Sequence, residues 1–200
     1  MRIITGKYKG RHFDIPRTFK ARPTTDFAKE NIFNVLTQYI DFDGATALDL
    51  FAGTGSITLE LLSRGCSQVV SVEKDRDHHR FILQCIGKLA PSEQSTVLRA
   101  DVFRFVKSCH QQFDFIFADP PYALKELPQI PDLILGCSGE KDKSSPDGTV
   151  EANSSLTLPS SLLKPDGIFV FEHGKDHDFS QHPRFIEHRS YGSVNFSLFK

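Results

Sequence analysis

From residue 45 onward the chain alternates short apolar runs with longer stretches of helical periodicity. Runs at 47–51, 68–72, 95–99, 113–118 and 167–172 have the length and bounding residues of buried strands. Between them, 56–64, 76–89, 102–110 and 124–135 read as helices. Strand and helix in alternation predict a parallel sheet with helices on both faces. Two last runs, 185–191 and 193–199, are separated only by Gly192. That leaves no room for a crossover helix, so they are expected to pair antiparallel at one sheet edge.

Ahead of this body, Arg2 to Pro16 reads as a small hairpin. Ile3-Ile4 would pair with the alternating His12-Phe13-Asp14-Ile15, around a turn near Gly6 or Gly10. Arg22-Pro23-Thr24-Thr25-Asp26 follows as an extended lead whose Thr or Asp side chains can cap a helix. That helix is expected to run to about Tyr39, with Ile32, Phe33, Leu36, Tyr39 and Ile40 on one face. The expected organisation is therefore an extension over 1–40 and a main α/β domain over 41–200. Residues 138–155 interrupt the rhythm: they are rich in Ser, Gly, Asp, Glu and Lys, hold no aromatic residue, and read as an inserted surface loop.

Composition adds limits. Two hundred residues, 39% hydrophobic and 24% charged, suit one domain large enough to bury its own core. The opening Met1-Arg2-Ile3-Ile4-Thr5-Gly6-Lys7 has no long apolar region and no stretch approaches a membrane span, so a cytoplasmic protein without membrane contact is expected. Cys66, Cys85, Cys109 and Cys137 are widely spaced, without a Cys-x-x-Cys pair, and read as free thiols. The net charge of −1 hides an asymmetry, because residues 1–30 hold eight Lys or Arg against three acids. A basic arm on a mildly acidic body suggests contact with a polyanion.

The candidate chemistry lies at strand ends. Asp119-Pro120-Pro121-Tyr122 closes the run 113–118; prolines cannot continue a ladder, so Asp119 should sit at the carboxyl edge, where open α/β sheets bind ligands. Asp49-Leu50-Phe51-Ala52-Gly53-Thr54-Gly55 ends another strand and opens a helix, with small residues that let the backbone approach a ligand. Glu73, 18 residues beyond Gly55, is placed to accept from ribose hydroxyls, and Asp101-Val102 to meet an adenine. The first turn lacks the third glycine of the full dinucleotide fingerprint, and no Gly-Lys-Ser/Thr follows it, which argues against nicotinamide, flavin and P-loop chemistry. His173 and His177 are four apart after Glu172, but Gly174 and the strand-end setting argue against a metal pair.

Together these motifs resemble those of class I S-adenosylmethionine-dependent methyltransferases acting on exocyclic amines. Arg2-Ile3-Ile4-Thr5-Gly6-Lys7-Tyr8-Lys9-Gly10-Arg11, Arg22-Pro23-Thr24-Thr25-Asp26 with Glu30 and Phe33-Asn34, and Tyr191-Gly192 narrow the resemblance to the bacterial small-subunit (16S) ribosomal RNA guanine-N2 methyltransferases. The resemblance implies a Rossmann-like, mostly parallel sheet and transfer of methyl from S-adenosylmethionine to a guanine N2, leaving S-adenosylhomocysteine, without a metal. It implies Asp119, Pro120 and Tyr122 as catalytic residues. It implies a cofactor site of Asp49, Phe51, Ala52, Gly53, Thr54, Gly55, Glu73, Lys74, Asp101 and Val102. Lys7, Lys9, Arg11, Arg22, Thr24 and Pro121 would meet the RNA, as naked RNA or an assembling subunit, and the protein would act as a monomer. The alternatives are a DNA adenine-N6 or cytosine-N4 methyltransferase, which shares the amine chemistry, and a silent nucleic-acid-binding module that kept the fold.

Overall fold

The structure is a computed structural model and describes residues 1–19, 25–89, 92–137 and 161–200. The inserted stretch 138–155 and the residues Arg22 and Thr24 therefore lie outside the described residues.

Seven strands form one sheet: β1 (Thr46–Leu50), β2 (Gln68–Glu73), β3 (Ser95–Arg99), β4 (Phe113–Ala118), β5 (Leu163–His173), β6 (Phe185–Tyr191) and β7 (Val194–Phe199). Their spatial order is β3-β2-β1-β4-β5-β7-β6. β3, β2, β1, β4 and β5 run parallel, while β7 is antiparallel to both β5 and β6. The expected edge hairpin thus exists, folded so that its second strand lies inward and β6 forms the edge. This is the Rossmann-like α/β architecture read from the alternation. The order reverses between β1 and β4, and at such a switch point the loops leaving adjacent strands diverge and open a crevice.

Helices α1 (Asp26–Leu36), α2 (Ser56–Ser63), α3 (Arg76–Leu89), α4 (Val102–Ser108) and α5 (Ile130–Leu135) cover the sheet. One apolar cluster gathers Ile32, Phe33, Leu59, Ile82, Phe115 and Phe117; a second gathers Leu48, Leu50, Val106, Ile116, Ile134 and Phe169. Residues from both faces of β4 are therefore buried, which is why parallel strands read as unbroken apolar runs rather than alternations. The expected helix over 124–135 is shortened to α5, preceded by a 3-10 turn at Leu127–Gln129. Pro128 and Pro131 account for this, since each lacks an N–H and fits only the first turn of a helix. The first helix also stops early: α1 ends at Leu36 and the chain turns through Thr37 to Tyr39.

The opening segment is a narrow hairpin with a single isolated bridge between Arg2 and His12. Its two arms also bond through Ile3 N to Arg11 O and Phe13 N to Met1 O. It packs on α2, and all eight residues of that short helix are buried, Glu60 among them. Glu60 accepts from Ile4 N at 2.7 Å, Thr5 N at 3.0 Å and Arg64 Nε at 3.0 Å. Lys29, fully buried on α1, donates to Arg2 O at 2.6 Å and Ser56 Oγ at 3.0 Å, with Glu60 Oε2 at 3.9 Å. Burial lowers the Lys29 pKa, while Glu60 and Asp26 oppose that effect. Two buried charges thus tie arm, α1 and α2 together around the first turn after β1. Among the described residues no helix is long and apolar enough to cross a membrane.

Candidate active site

β1 ends in a backbone that side chains resist. Phe51 has φ 59, and it is the one non-glycine residue with positive φ among the described residues. Such a conformation costs about 1–3 kcal/mol and collects at functional turns. Gly53 and Gly55 follow at φ 54 and 76, and Gly55 N donates to Ala52 O at 2.7 Å. A Cβ on Gly55 would stand 2.9 Å from Ile82 Cγ1, so a side chain here would also push α3 away. Thr54 is buried, with its hydroxyl 3.6 Å from Met1 Sδ.

Acids support this turn from both sides. Asp49 Oδ2 accepts from Thr58 N at 3.0 Å and Thr58 Oγ1 at 2.6 Å, pinning the first turn of α2 over β1. Burial pushes the Asp49 carboxyl up to about 7, against the two Thr58 hydrogen bonds that favour its charged form. Glu73, at the end of β2, accepts from Gly53 N at 2.8 Å and Asp75 N at 2.6 Å. Each carboxylate oxygen has a second acceptor direction, so ribose hydroxyls can be added without breaking these bonds. Asp101 caps α4 through Arg104 N and pairs with Lys74 Nζ at 3.2 Å. Burial pushes its carboxyl up, but Lys74 and the α4 amides outweigh burial and hold it below the usual range. Lys74, Arg99, Ala100, Asp101 and Arg104 line an open groove of about 580 Å³, and Val102 is buried beside them.

On the other side of β1, Asp119 N donates to Leu50 O at 3.4 Å as β4 ends. Asp119 is half-buried, and burial, then Glu172, then Asp49 raise its carboxyl pKa well above the ordinary value. Pro120 is buried, while Pro121 and Tyr122 are exposed. Tyr122 turns back across the end of β5. Its hydroxyl donates to Glu172 Oε1 at 3.2 Å, and a Cβ on Gly174 would lie 3.2 Å from its Cδ2. Burial, Glu172 and Asp119 all raise the Tyr122 pKa, so the phenol keeps its proton.

Following the sheet from β3 to β5, every strand has an acid within two residues of its carboxyl end: Asp101, Glu73, Asp49, Asp119 and Glu172. Neighbouring strands lie about 4.8 Å apart, so this row is about as long as a nucleoside with an extended side chain. The acids at the β3 and β2 end already accept hydrogen bonds from backbone N–H groups. Asp49 and Asp119 lie where two further acids disfavour ionisation, a field that a cationic group would relieve. The row fits a ligand with hydroxyls at one end and positive charge at the other. S-adenosylmethionine, with ribose, sulfonium and ammonium, has that distribution.

Glu172 had appeared in the sequence only beside His173 and His177. The structure instead places it, 4% exposed, next to Asp119. The signal that could have found it is the recurrence of an acid at each strand end. His173 itself is engaged at both ring nitrogens, Nδ1 with Gly174 O at 2.8 Å and Nε2 with Ser197 Oγ at 2.9 Å. Elsewhere Asp132, Cys137 and His182 converge. There Arg184 N donates to His182 Nδ1 at 3.1 Å, so the proton sits on Nε2 and faces Asp132 Oδ1 at 3.2 Å. As arranged, that nitrogen is a donor to a carboxylate and not a metal ligand.

Lys7, Lys9 and Arg11 of the arm are not brought to the carboxyl edge. Met1 lies by Thr54 at the start of α2, whereas Lys7 N donates to Ser63 O at its last residue. Eight helical residues rise about 12 Å. The hairpin tip with Lys7 and Lys9 therefore points toward the amino ends of the strands. Lys7 Nζ donates to Gln94 Oε1 at 3.1 Å and Arg11 Nη1 to Lys88 O at 3.3 Å, both at that end.

A family model described as Conserved hypothetical protein 95 matches residues 1–137. Ribosomal RNA small subunit methyltransferase D of Haemophilus influenzae is 32% identical over 157 residues, covering 72% of this chain and 80% of that protein. The Escherichia coli K12 protein of the same name is 32% identical over 134 residues, 67% of this chain and 66% of its own length. A solved hypothetical protein from Thermus thermophilus aligns over 100% of this chain and 99% of its own, at 25% identity and TM-score 0.75. A more distant structure, determined in complex with SAH, shares the fold at 15% identity and TM-score 0.59, over 86% of this chain and 49% of that one.

Proposed function

The chain belongs to the Conserved hypothetical protein 95 family, and from that membership and the site geometry we propose that it transfers a methyl group from S-adenosylmethionine to the exocyclic N2 of a guanine in small-subunit ribosomal RNA. The observation that carries this reading is the pairing of the acid row with the stiff turn at its end. Asp119 and the Pro120 carbonyl are acceptors fixed by two prolines, next to the place where a cationic group would satisfy Asp49 and Asp119. Bound S-adenosylmethionine supplies an electrophilic methyl on a sulfonium centre and leaves as S-adenosylhomocysteine.

In this reading Glu73 holds the ribose, Asp101 and Val102 meet the adenine beside Lys74, and the turn from Phe51 through Ala52, Gly53, Thr54 and Gly55 contributes backbone groups that a side chain would block. The target amine is a weak nucleophile, because its lone pair is delocalised into the base. Asp119 and Pro120 O accept its two hydrogens and so hold the nitrogen where that lone pair faces the methyl group. As positive charge develops on the nitrogen, the Asp119 carboxylate stabilises it and stands within reach of the proton that must leave. Tyr122 stacks on the base, which must be unpaired or flipped out to arrive there, and Pro121 borders the opening. The extension over 1–40 contributes phosphate contacts through Arg22, Thr24, Lys7, Lys9 and Arg11. Because the hairpin tip lies a helix length from the opening, these contacts require an RNA that spans one side of the molecule.

The test is transfer of a tritiated methyl group from labelled S-adenosylmethionine to small ribosomal subunits and their RNA from a strain lacking the protein. Label recovered as N2-methylguanine in the RNA is expected, and Asp119→Ala should abolish it. Label confined to DNA, or carried by an adenine or cytosine, would overturn the reading.

A further inference from the structure

Glu172 has no part in the reaction as described above, yet it is built into the site. It is the last residue but one of β5, the strand beside β4, and the register Ala118 opposite Phe171 puts Glu172 level with Asp119. Its side chain is buried, and Tyr122 Oη, 3.2 Å away, fixes the direction of its carboxylate. Glu172 is buried and Asp119 half-buried beside it, and the two repel one another, so that Glu172 raises the Asp119 pKa. A pair of acceptors side by side is what a ligand with two adjacent donors requires.

The Watson–Crick edge of guanine carries such donors, N1–H and the N2 amine, side by side. Adenine and cytosine offer a lone pair at the ring nitrogen next to their amines, and a carboxylate repels it. Resting on the guanine-N2 reading, we propose that Glu172 is the residue that selects guanine, its carboxylate accepting N1–H while Asp119 and Pro120 O hold the hydrogens on N2. A carboxylate has about four acceptor directions, so the Tyr122 hydroxyl and N1–H can be accommodated together. The Tyr122 bond then links stacking to selection, because the ring that covers the base also orients the group that reads its edge.

The probe is 2-aminopurine, which keeps the 2-amine of guanine but has a lone pair at N1. Once the methylated guanine has been mapped, a small-subunit RNA is assembled by ligation with 2-aminopurine at that position and compared with the guanine RNA. Wild-type protein is expected to methylate 2-aminopurine at least roughly 100-fold more slowly, in line with the discrimination a well-placed hydrogen bond gives between bases. In Glu172→Gln the amide can donate to the N1 lone pair. The guanine rate should fall about 10–100-fold, and the preference should shrink to within about tenfold. Unchanged binding of S-adenosylhomocysteine would show that the variant is folded. Equal use of the two RNAs by wild-type protein would overturn the proposal without any variant. So would a Glu172→Gln variant that slows both substrates alike, since that is the mark of a residue that only positions Tyr122. In both cases methyl would still be found on guanine N2. Methyl found elsewhere, or none on guanine, would overturn the guanine-N2 reading itself.

Discussion

In the proposed reaction Asp119 accepts a hydrogen bond from an amine, which a carboxylate does best when charged, yet it sits where burial, Glu172 and Asp49 all favour its neutral form. The pH dependence of turnover follows from that conflict. An exposed aspartate, with a pKa near 3.9, would leave the rate flat above about pH 5. Asp119 should instead give a limb that rises with pH at higher values, as the anion forms. Asp119→Asn keeps one acceptor oxygen but no titrating proton. Its rate should be lower by about 10²–10³-fold and this limb should be absent. Asp119→Ala, which also loses the acceptor, should be slower still while retaining affinity for S-adenosylhomocysteine. Single-turnover methylation of small subunits across pH separates these outcomes. A wild-type profile without the limb, or an Asp119→Asn profile that retains it, would assign the titration to another group.

Among the elements, α2 bears the most unusual burden, being short, buried all round and joined to the arm through charge. Lys29→Ala would remove the cation that bonds Arg2 O and Ser56 Oγ. Glu60 would keep Arg64 and two backbone N–H groups, so the expected loss is at the lower end for a broken buried pair, about 3 kcal/mol. Denaturant midpoints with an unchanged slope would measure it. Gly6 is the other fastening: at φ +84, a Cβ there would stand 1.9 Å from Ser63 O. Gly6→Ala should lift the hairpin tip from α2, cost about 1–3 kcal/mol and expose residues 1–13 to proteolysis before the rest of the domain unfolds. Much of this level was legible in the sequence, and the reasons are physical. β4 and β3 have the bounds their residues suggested, because an apolar run closed by proline or a charged residue leaves little freedom at its ends. Periodicity over 124–135 does not show the break before α5, where the missing N–H groups of Pro128 and Pro131 outweigh it. Gly53, Gly55, Glu73 and Asp119 could be placed at strand ends from local pattern alone. Glu172 could not be paired with Asp119, since that depends on which strands become neighbours. Nor could the direction of the hairpin be read, because it is set by contacts of Ile4 and Thr5 with Glu60 more than fifty residues away.

For the molecule as a whole, the acid row makes stability and ligand binding parts of one equilibrium. Asp49, raised from 3.8 to about 7, and Asp119, also raised, retain protons in the folded chain that the unfolded chain releases near pH 4. Between about pH 4 and 7 the folded state therefore binds more protons, and stability falls as pH rises through this window. Asp75, Asp101 and Asp114 are held below the ordinary value and act in the opposite sense, their contribution being lost as pH falls below about 4. The free protein should thus melt at its highest temperature in mildly acidic buffer and lower at neutral pH. Asp49 alone accounts for at most about 4 kcal/mol of the fall, at 1.36 kcal/mol per pKa unit. A bound cation changes this result. S-adenosylmethionine carries a sulfonium where S-adenosylhomocysteine has a neutral sulfur, and the two are otherwise nearly alike in shape. If the charge of the row is what receives the sulfonium, the methyl donor should recover more of the neutral-pH loss than the product does. The difference between the two ligands should shrink as pH falls toward 5 and the carboxyls take up protons. Melting curves at several pH values, with each ligand at the same multiple of its pH 5 dissociation constant, measure this directly. Equal stabilisation by the two ligands at every pH would mean that the sulfonium lies away from Asp49 and Asp119.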